Sequence, residues 1–474
     1  MYSALLVSVS VLLAASADPP SAIQVVAAVE SSIIEAIEKA EGSVVAISRE
    51  KSSEGGGDRT VAVRGDTEQP PLPRDRFDPL RGGGEDVSFD YASGVVIGPK
   101  NAILTTFHAV RGAYRIKVRA PGKQFFEAEI IAADPRSDLA VIVPRPNPDS
   151  KPPTLKPMTF GDSSTLRKGA FLLALGNPFN SARDGSPSAA WGILSNIQRR
   201  IDAPIEERNF RLLQNFPTLL QLDTKLNVGM SGGAVINLKG ELVGITTASA
   251  NVAGFDAMAG YAIPIDSLTT RVINLLREGR EAEYGFLGIS LDLMGSNRVK
   301  ETQPGSPAGE GGVLNNDAIL MVGNRPVTDS ETLVLAVNAQ PVGKPVVLKL
   351  ERAQQMIEKT VVLSKYPVIG GIATNRPAPW RGIRVDYSSV LSLGQFGQPS
   401  MEVMAKGGVA VVDIINGSVA DLANLKRGLL ILRVENKPTK TPEQFAKAVE
   451  GLTGRVVLHT DQGDFTLDPP ASQP

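Results

Sequence analysis

The sequence contains no cysteine and only two histidines, His108 and His459. Without cysteine there can be no disulfide, thiolate zinc site, cysteine nucleophile or lipid-modified cysteine anchor. With two histidines a multi-histidine metal centre is nearly excluded, and an imidazole base has two candidates. Aromatic residues make up only 5%, and 49 Lys and Arg nearly cancel 50 Asp and Glu, leaving a net charge of −1. That balance gives no electrostatic case for nucleic acid or an anionic membrane. No run reaches the ~20 apolar residues of a membrane span. The longest candidate, Ala4 to Ala15, leads into Ala15-Ser16-Ala17, a small-x-small cleavage pattern before Asp18. No Lys or Arg precedes it, but the pattern predicts a cleaved signal peptide at 1–17 and an exported, soluble mature chain. The lack of cysteine suits an oxidising destination.

Glycine and proline are plentiful: 46 Gly and 34 Pro among 474 residues. Their share, about 17%, exceeds the usual ~12% and predicts many turns and short strands in about three domains. Residues 30–41 read as a short helix, with Ser32 and Glu35 as a capping box. Residues 43–48 (SVVAIS) read as a strand. The stretch 49–90, with seven Gly and four Pro, breaks the pattern and reads as a long mobile surface loop, though composition alone fits a simple linker equally well. From 92 to about 265, β-branched runs recur between turns at 94–97, 102–106, 115–119, 127–132, 139–143, 170–175, 219–223, 233–237 and 241–247. That rhythm predicts an all-β barrel or sandwich pair. Asp266 then caps a helix with Leu268, Val272, Leu275 and Leu276 on one face, ending at Gly279.

Two weakly similar units follow, at about 284–365 and 379–470. The first holds PGSPA (304–308), AILMVGNRPV (318–327) and VVLKLER (346–352). The second holds NGSVA (416–420), LLILRVENKPT (429–439), PEQFAKAVEG (442–451) and RVVLHT (455–460). Both run loop, strand, Asn-x-Pro turn, helix, strand, the mark of an internal repeat. The Pro- and Gly-rich stretch 366–379 reads as the linker between them.

Three short motifs carry the chemistry. Asn227-Val228-Gly229-Met230-Ser231-Gly232-Gly233 sets a serine on a glycine-flanked turn, which a nucleophile needs for close approach of substrate and backbone N–H groups. Leu104-Thr105-Thr106-Phe107-His108 sets a histidine just after an apolar strand. Asp134-Pro135-Arg136-Ser137-Asp138-Leu139-Ala140-Val141 sets Asp138 at the mouth of another. Each alone has a plain structural explanation: a hairpin turn, a structural histidine, a capping aspartate. Together they stand in the order His, Asp, Ser, separated by 30 and 93 residues. Of the triad orders found on unrelated folds, only the chymotrypsin-like order matches, and it agrees with the all-β reading of the region.

On these motifs the chain resembles the HtrA/DegP family of exported serine proteases. Ser93-Gly94-Val95-Val96-Ile97, Leu175-Gly176-Asn177-Pro178-Phe179, Gly192-Ile193-Leu194-Ser195 and Tyr261-Ala262-Ile263-Pro264 are further landmarks in order, and the likeness covers about 30–470. It implies a mainly β fold. A chymotrypsin-like double β-barrel protease domain (30–280, with a mobile loop at 49–90) would precede a first PDZ domain (281–366) and a second PDZ-like domain (379–470), both α+β. It implies Ser231 as nucleophile, His108 as general base and Asp138 as its partner, with Asp134 the second-choice acid. The oxyanion hole would use backbone groups of Gly229 and Ser231, around Met230, which stands where the family usually has Asn or Asp. Thr106-Phe107 likewise departs from a more common Asn-x or Ala-x pair. Thr246, Thr247 and Ala248 would pair with substrate. Lys225 aligns with the pocket base but reads more simply as solvent-facing. Phe286, Leu287, Gly288 and Ile289 would form the carboxylate loop of the first PDZ domain, which adds a C-terminal peptide as an extra strand. Arg381-Gly382-Ile383 is a weaker counterpart in the second unit, whose alternative role is an assembly surface. His459 reads as a surface strand residue.

The resemblance further implies an endopeptidase acting on unfolded or damaged proteins in the periplasm or outside the cell. It would be regulated through C-terminal peptides, assembled as a trimer or multiple of trimers, and independent of metal or other cofactor. One rival is a non-proteolytic chaperone or peptide-binding scaffold whose protease domain rests inactive; a second is a regulated signalling protease with one specific client.

Overall fold

The computed structural model describes residues 21–50, 91–149, 151–181, 184–199, 218–247, 260–291, 295–368, 370–391 and 401–469. The expected signal peptide at 1–17 and nearly all of the expected 49–90 loop lie outside them. Arg49 and Glu50, assigned to that loop from sequence, instead complete a strand.

The first barrel is built from β1 (Val44–Glu50), β2 (Tyr91–Gly98), β3 (Ala102–Thr106), β4 (Arg115–Ala120), β5 (Gln124–Asp134) and β6 (Leu139–Pro144). The antiparallel order β4-β1-β2-β3-β6 is closed by pairing of β5 with both β4 and β6. β3 is buried along its whole length, Ala-Ile-Leu-Thr-Thr, as fits a strand with barrel interior on one side and neighbouring barrel on the other. The second barrel is closed in the order β10-β11-β12-β9-β8-β7. Its strands are β7 (Phe171–Gly176), β8 (Ser188–Arg199), β9 (Leu219–Leu222), β10 (Ala234–Ile236), β11 (Leu242–Thr247) and β12 (Gly260–Pro264).

One apolar cluster joins the barrels: Val95, Leu104, Leu139 and Val141 from the first meet Leu173, Leu175, Ile236, Ile245 and Ile263 from the second. Burying each such side chain contributes about 1.5–3 kcal/mol, so the seam that carries the site is also a main source of stability. The helix Ser267–Arg277 adds Leu268, Val272, Ile273 and Leu276 to the same cluster. Its cap is Asp266, which accepts from Leu268 N and Thr269 N at 3.0 and 2.8 Å. Leu275, expected on the buried face, is only half-buried, and Ile273 is buried instead.

The N-terminal helix is longer than expected, Ala22–Glu41. Ser21 and Gln24 form its capping box, and Ser32 is an interior residue whose Oγ donates to Ala28 O at 2.9 Å. The Ser32–Glu35 box is therefore not the helix start. Alanine and valine continue the helix upstream without breaking it.

The two C-terminal units repeat one plan. In the first, β13 (Gly285–Phe286) pairs with β20 (Ser364–Lys365), and β14 (Ile289–Leu291) with β15 (Val299–Thr302). β16 (Ala318–Val322), β17 (Arg325–Pro326), β18 (Pro345–Arg352) and β19 (Gln355–Val362) form a sheet in the order β17-β16-β18-β19, with the helix Ser330–Asn338 packed on it. The 366–379 stretch is not a plain linker: β21 (Ile372–Ala373) pairs with Ala133 and Ala132 of β5, adding a strand to the first barrel. In the second unit, β22 (Ile383–Tyr387), β23 (Val409–Ile414), β24 (Leu430–Val434), β26 (Val456–Thr460) and β27 (Gly463–Leu467) form one sheet, with β25 (Lys437–Pro438) on β24. The repeat extends to single atoms. Gly288 and Gly382 both have positive φ (78° and 89°), and a Cβ on either would collide with the serine, Ser306 or Ser418, that caps the next short helix.

Candidate active site

β3 runs into a single helical turn, Phe107–Val110, which carries His108 at the barrel seam. The loop between β5 and β6 brings Asp138 to it. Asp138 Oδ2 lies 2.7 Å from His108 Nδ1, and its Oδ1 accepts the His108 main-chain N–H at 3.0 Å. The Asp138 carbonyl also accepts from Phe107 N at 2.9 Å. One aspartate thus grips the ring, the main chain and the preceding residue. It does so at φ 55°, a left-handed conformation that Asp tolerates better than most residues and that, because it costs energy, persists only where the surroundings enforce it. With Nδ1 held as donor to the carboxylate, Nε2 is the nitrogen left to accept a proton. It lies 3.5 Å from Thr106 Oγ1.

Ser231 sits on a turn just before β10. The Met230 N–H donates to Asn227 O at 3.1 Å, with Gly229 at φ 94° and no positive φ at Val228. This is a type II turn, which demands glycine at its third position. Gly232 follows at φ 82°, where a Cβ would lie 2.2 Å from Ser93 O and 2.4 Å from Thr105 Oγ1. Glycine here lets the serine turn press against β2 and against the β3 residues that lead into His108.

Ser93 of β2 is the hub of that contact, fully buried. Its N–H donates to Ser231 O at 2.7 Å, its Oγ donates to Gly229 O at 2.8 Å, and the same Oγ accepts from Asn177 N at 2.8 Å. Thr105 Oγ1 in turn donates to Ser93 O at 2.7 Å. From the other side, Gly232 N donates to Thr246 O and Thr246 N to Gly233 O, at 2.7 and 2.9 Å, while Thr246 Oγ1 donates to Met230 O. Thr246, expected to pair with substrate, therefore has both main-chain groups engaged by the serine turn. Thr247 is the next position on β11, and Ala248 lies outside the described residues. Met230 is buried, a packing side chain below the turn.

Sequence reasoning missed Ser93 as a functional residue, although it heads a motif it did single out. It also missed Arg49. Arg49 Nη1 donates to Arg111 O at 2.8 Å and to His108 O at 3.3 Å, holding carbonyls at the end of the His108 turn. The second-choice acid, Asp134, is elsewhere: buried, it accepts from Ser137 N at 2.9 Å, from Ser137 Oγ and from the Tyr284 hydroxyl. Burial pushes its carboxyl up, opposed by those donors. Lys225 is exposed, and a Cβ on Gly260 would lie 3.0 Å from Leu226 Cγ. His459 pairs with Asp464 at 2.7 Å across β26 and β27, far along the chain in the second repeat. Phe286, Leu287 and Gly288 are buried, and Ile289 opens β14. Among the described residues no cluster of His, Asp and Glu could hold a metal ion.

Comparison with known proteins agrees with this architecture. Residues 92–245 match the trypsin-like peptidase domain and residues 285–363 the PDZ domain. The chain is 28% identical over 404 residues to the periplasmic serine endoprotease DegP of Escherichia coli, covering 81% of this chain and 77% of that one. It is 31% identical over 283 residues to the serine endoprotease DegS of Haemophilus influenzae, covering 58% of this chain and 77% of that one. Among solved structures, an HtrA-type protease AlgW with tripeptide superposes with a TM-score of 0.51 at 22% identity, over 73% of this chain and 98% of that one, a likeness of fold. Two closed barrels followed by a PDZ domain, with kinship of this extent to DegP and DegS, mean that the chain is a serine endopeptidase and belongs to the HtrA/DegP family.

Proposed function

We propose that this chain is an exported endopeptidase that cleaves unfolded or damaged proteins through Ser231, His108 and Asp138. The observation that carries the assignment is the double grip of Asp138 on His108, through Nδ1 and main-chain N–H. It fixes the tautomer in which Nε2 is a base. In the forward step Ser231 Oγ attacks the peptide carbonyl and its proton passes to His108 Nε2. The imidazolium, stabilised by Asp138, then protonates the leaving amine, and an acyl-enzyme remains on Ser231. Water, deprotonated by His108, releases the acid and restores the hydroxyl. The oxyanion would be held by the Gly229 and Ser231 N–H groups. The type II turn and the Ser93 and Thr246 bonds support that role, because they fix the peptide units between the two donors. A lost donor of this kind typically costs 10²–10³ in kcat.

A preference for small apolar side chains before the cut is part of the same proposal, supported by the crowding at Gly260, where an added Cβ would lie 3.0 Å from Leu226 Cγ. Export and a periplasmic or extracellular destination rest on the leader pattern and on the periplasmic relatives. Regulation by C-terminal peptides would use the 286–289 loop and β14, which pairs with β15 along one edge. A trimer or multiple of trimers is part of the same proposal, and sedimentation equilibrium reads it.

The test compares wild type with Ser231→Ala on an unfolded protein, read as fragments on a gel, with and without a C-terminal peptide. Fragments from wild type alone support the nucleophile, and an increase with peptide supports PDZ control. Equal fragmentation by Ser231→Ala refutes the assignment. Suppressed aggregation without fragments from either protein favours the chaperone reading.

A further inference from the structure

The Asp134–Asp138 loop does not rest on the protease domain alone. Arg136, only two residues from Asp138, is 4% exposed and points away from the barrel. Its Nη2 donates to Asn338 Oδ1 at 3.1 Å. Asn338 is the last residue of the helix Ser330–Asn338 in the first PDZ unit. The guanidinium also lies over the Tyr366 ring, 3.9 Å from its centroid, with the Tyr284 ring at 5.1 Å. Tyr284 in turn donates its hydroxyl to Asp134, at the other end of the same loop. Asn338 O is fixed independently by Arg271 Nη2 at 3.1 Å, from the helix that closes the protease domain. The anchor is therefore a buried, planar guanidinium held by an amide and an aromatic face, an arrangement for which lysine is a poor substitute.

We infer that Arg136 is a positioning residue for Asp138, and that its anchor, Asn338 with Tyr284 and Tyr366, makes the first PDZ unit a structural part of the support for the catalytic acid. This rests on Asp138 being that acid. The loop reaches Asp138 in a left-handed conformation, which its surroundings must hold. Held, Asp138 keeps both bonds to His108. With the Arg136 anchor gone, the loop can relax and the imidazole loses its orientation, with the steep cost that misplacement of a catalytic group carries.

The test uses the full chain with two substitutions at one site. Asn338→Leu and Asn338→Asp both delete the bond from Asn338 Nδ2 to Val334 O, so damage to the helix end is common to them. Only the aspartate keeps an acceptor for Arg136. Steady-state cleavage of a peptide substrate should show kcat ~10-fold or more lower for Asn338→Leu, with KM within about twofold, and near wild type for Asn338→Asp. Arg136→Met should match Asn338→Leu, and Arg136→Lys should rescue little. Because the chain has two histidines, His459→Gln leaves one imidazole, so the His108 Nδ1–H proton resonance can be followed directly. It should broaden or move upfield in Asn338→Leu and hold in Asn338→Asp. Wild-type kcat in Asn338→Leu, or equal loss in both Asn338 variants, overturns the inference. Undiminished cleavage by Asp138→Asn would instead sink the assignment of the acid, so the two failures are distinguishable.

Discussion

Ser93→Ala removes one oxygen and two hydrogen bonds. It strands the Gly229 carbonyl and the Asn177 N–H in a site where Ser93 itself is fully buried. A buried polar group left without a partner costs about 1–3 kcal/mol, so the pair should lower stability by ~2–6 kcal/mol. The catalytic consequence is separate. The Gly229 carbonyl belongs to the peptide unit between the two proposed oxyanion donors, and Ser93 Oγ holds that unit from the other barrel. The Ser93 N–H bond to Ser231 O survives the substitution, so the turn is loosened on one side only. Outright deletion of an oxyanion donor typically costs 10²–10³ in kcat, and loosening the frame that aims two of them should cost less, ~10–100-fold. That is about 1.4–2.7 kcal/mol of transition-state stabilisation. Because the hole acts on charge that develops in the transition state, KM should change little.

The assay is steady-state cleavage of a chromogenic peptide ester and amide, run well below the variant's thermal midpoint. A fluorophosphonate titration counts competent serines. The expected result is a full complement of titratable Ser231 that reacts slowly, with kcat down and KM within about threefold. A variant that loses thermal stability as expected yet keeps wild-type kcat would show that Ser93 only packs the barrels. A rise in KM at unchanged kcat would show that it acts on substrate binding, and either outcome refutes the reasoning.

Three further outcomes follow from the same geometry. Arg49→Met removes the donors to His108 O and Arg111 O and should lower kcat ~3–30-fold while costing ~1–3 kcal/mol of stability, measured by steady-state kinetics and thermal unfolding; unchanged kcat would reduce Arg49 to packing. Burial raises the Asp317 carboxyl, but the Arg352 bonds at 2.8 Å and the Leu314 N–H outweigh it and hold it below its ordinary 3.8. The stability this contributes is present above 3.8 and is lost as pH falls through the lowered value. The excess hydrogen-exchange protection of β16 and β18 in wild type over Asp317→Asn should therefore shrink on acidification, and a constant difference would contradict the sign. Finally, Lys225→Ala should leave the cleavage-site profile on an unfolded protein unchanged, because Lys225 is exposed; a shift away from acidic residues before the cut would place Lys225 in the pocket after all.

What the sequence revealed and what it concealed divide along chain distance. The barrel strands β2, β3, β6 and β11 were legible because a strand buried on both faces must be an unbroken apolar or β-branched run. β8 was not: of its twelve residues only Leu194 is buried, so Ser-Ala-Ala-Trp-Gly gives no period to read, and only its place between β7 and β9 makes it a strand. The N-terminal helix was placed too late because Ser32 fits a capping box as well as Ser21 does. The choice between them depends on whether the Ala-Val stretch at 25–29 is helical, which a local pattern leaves open. The chemistry-bearing side chains were legible for a different reason: each stands in a short motif, and their order restricts the topology. Their supports are of another kind. Ser93 holds a carbonyl 136 residues away, and Arg136 an amide 202 residues away. Ser93 and Arg136 stand inside short motifs, but no local pattern reveals what they hold, because their side-chain partners lie far along the chain. The nucleophile, base and acid must be particular residue types, so chemistry writes them into the sequence. A support needs only a donor or acceptor at the right point in space, and any stretch of chain that passes there can supply it. The same freedom lets a neighbouring domain supply it, as Asn338 does for Arg136.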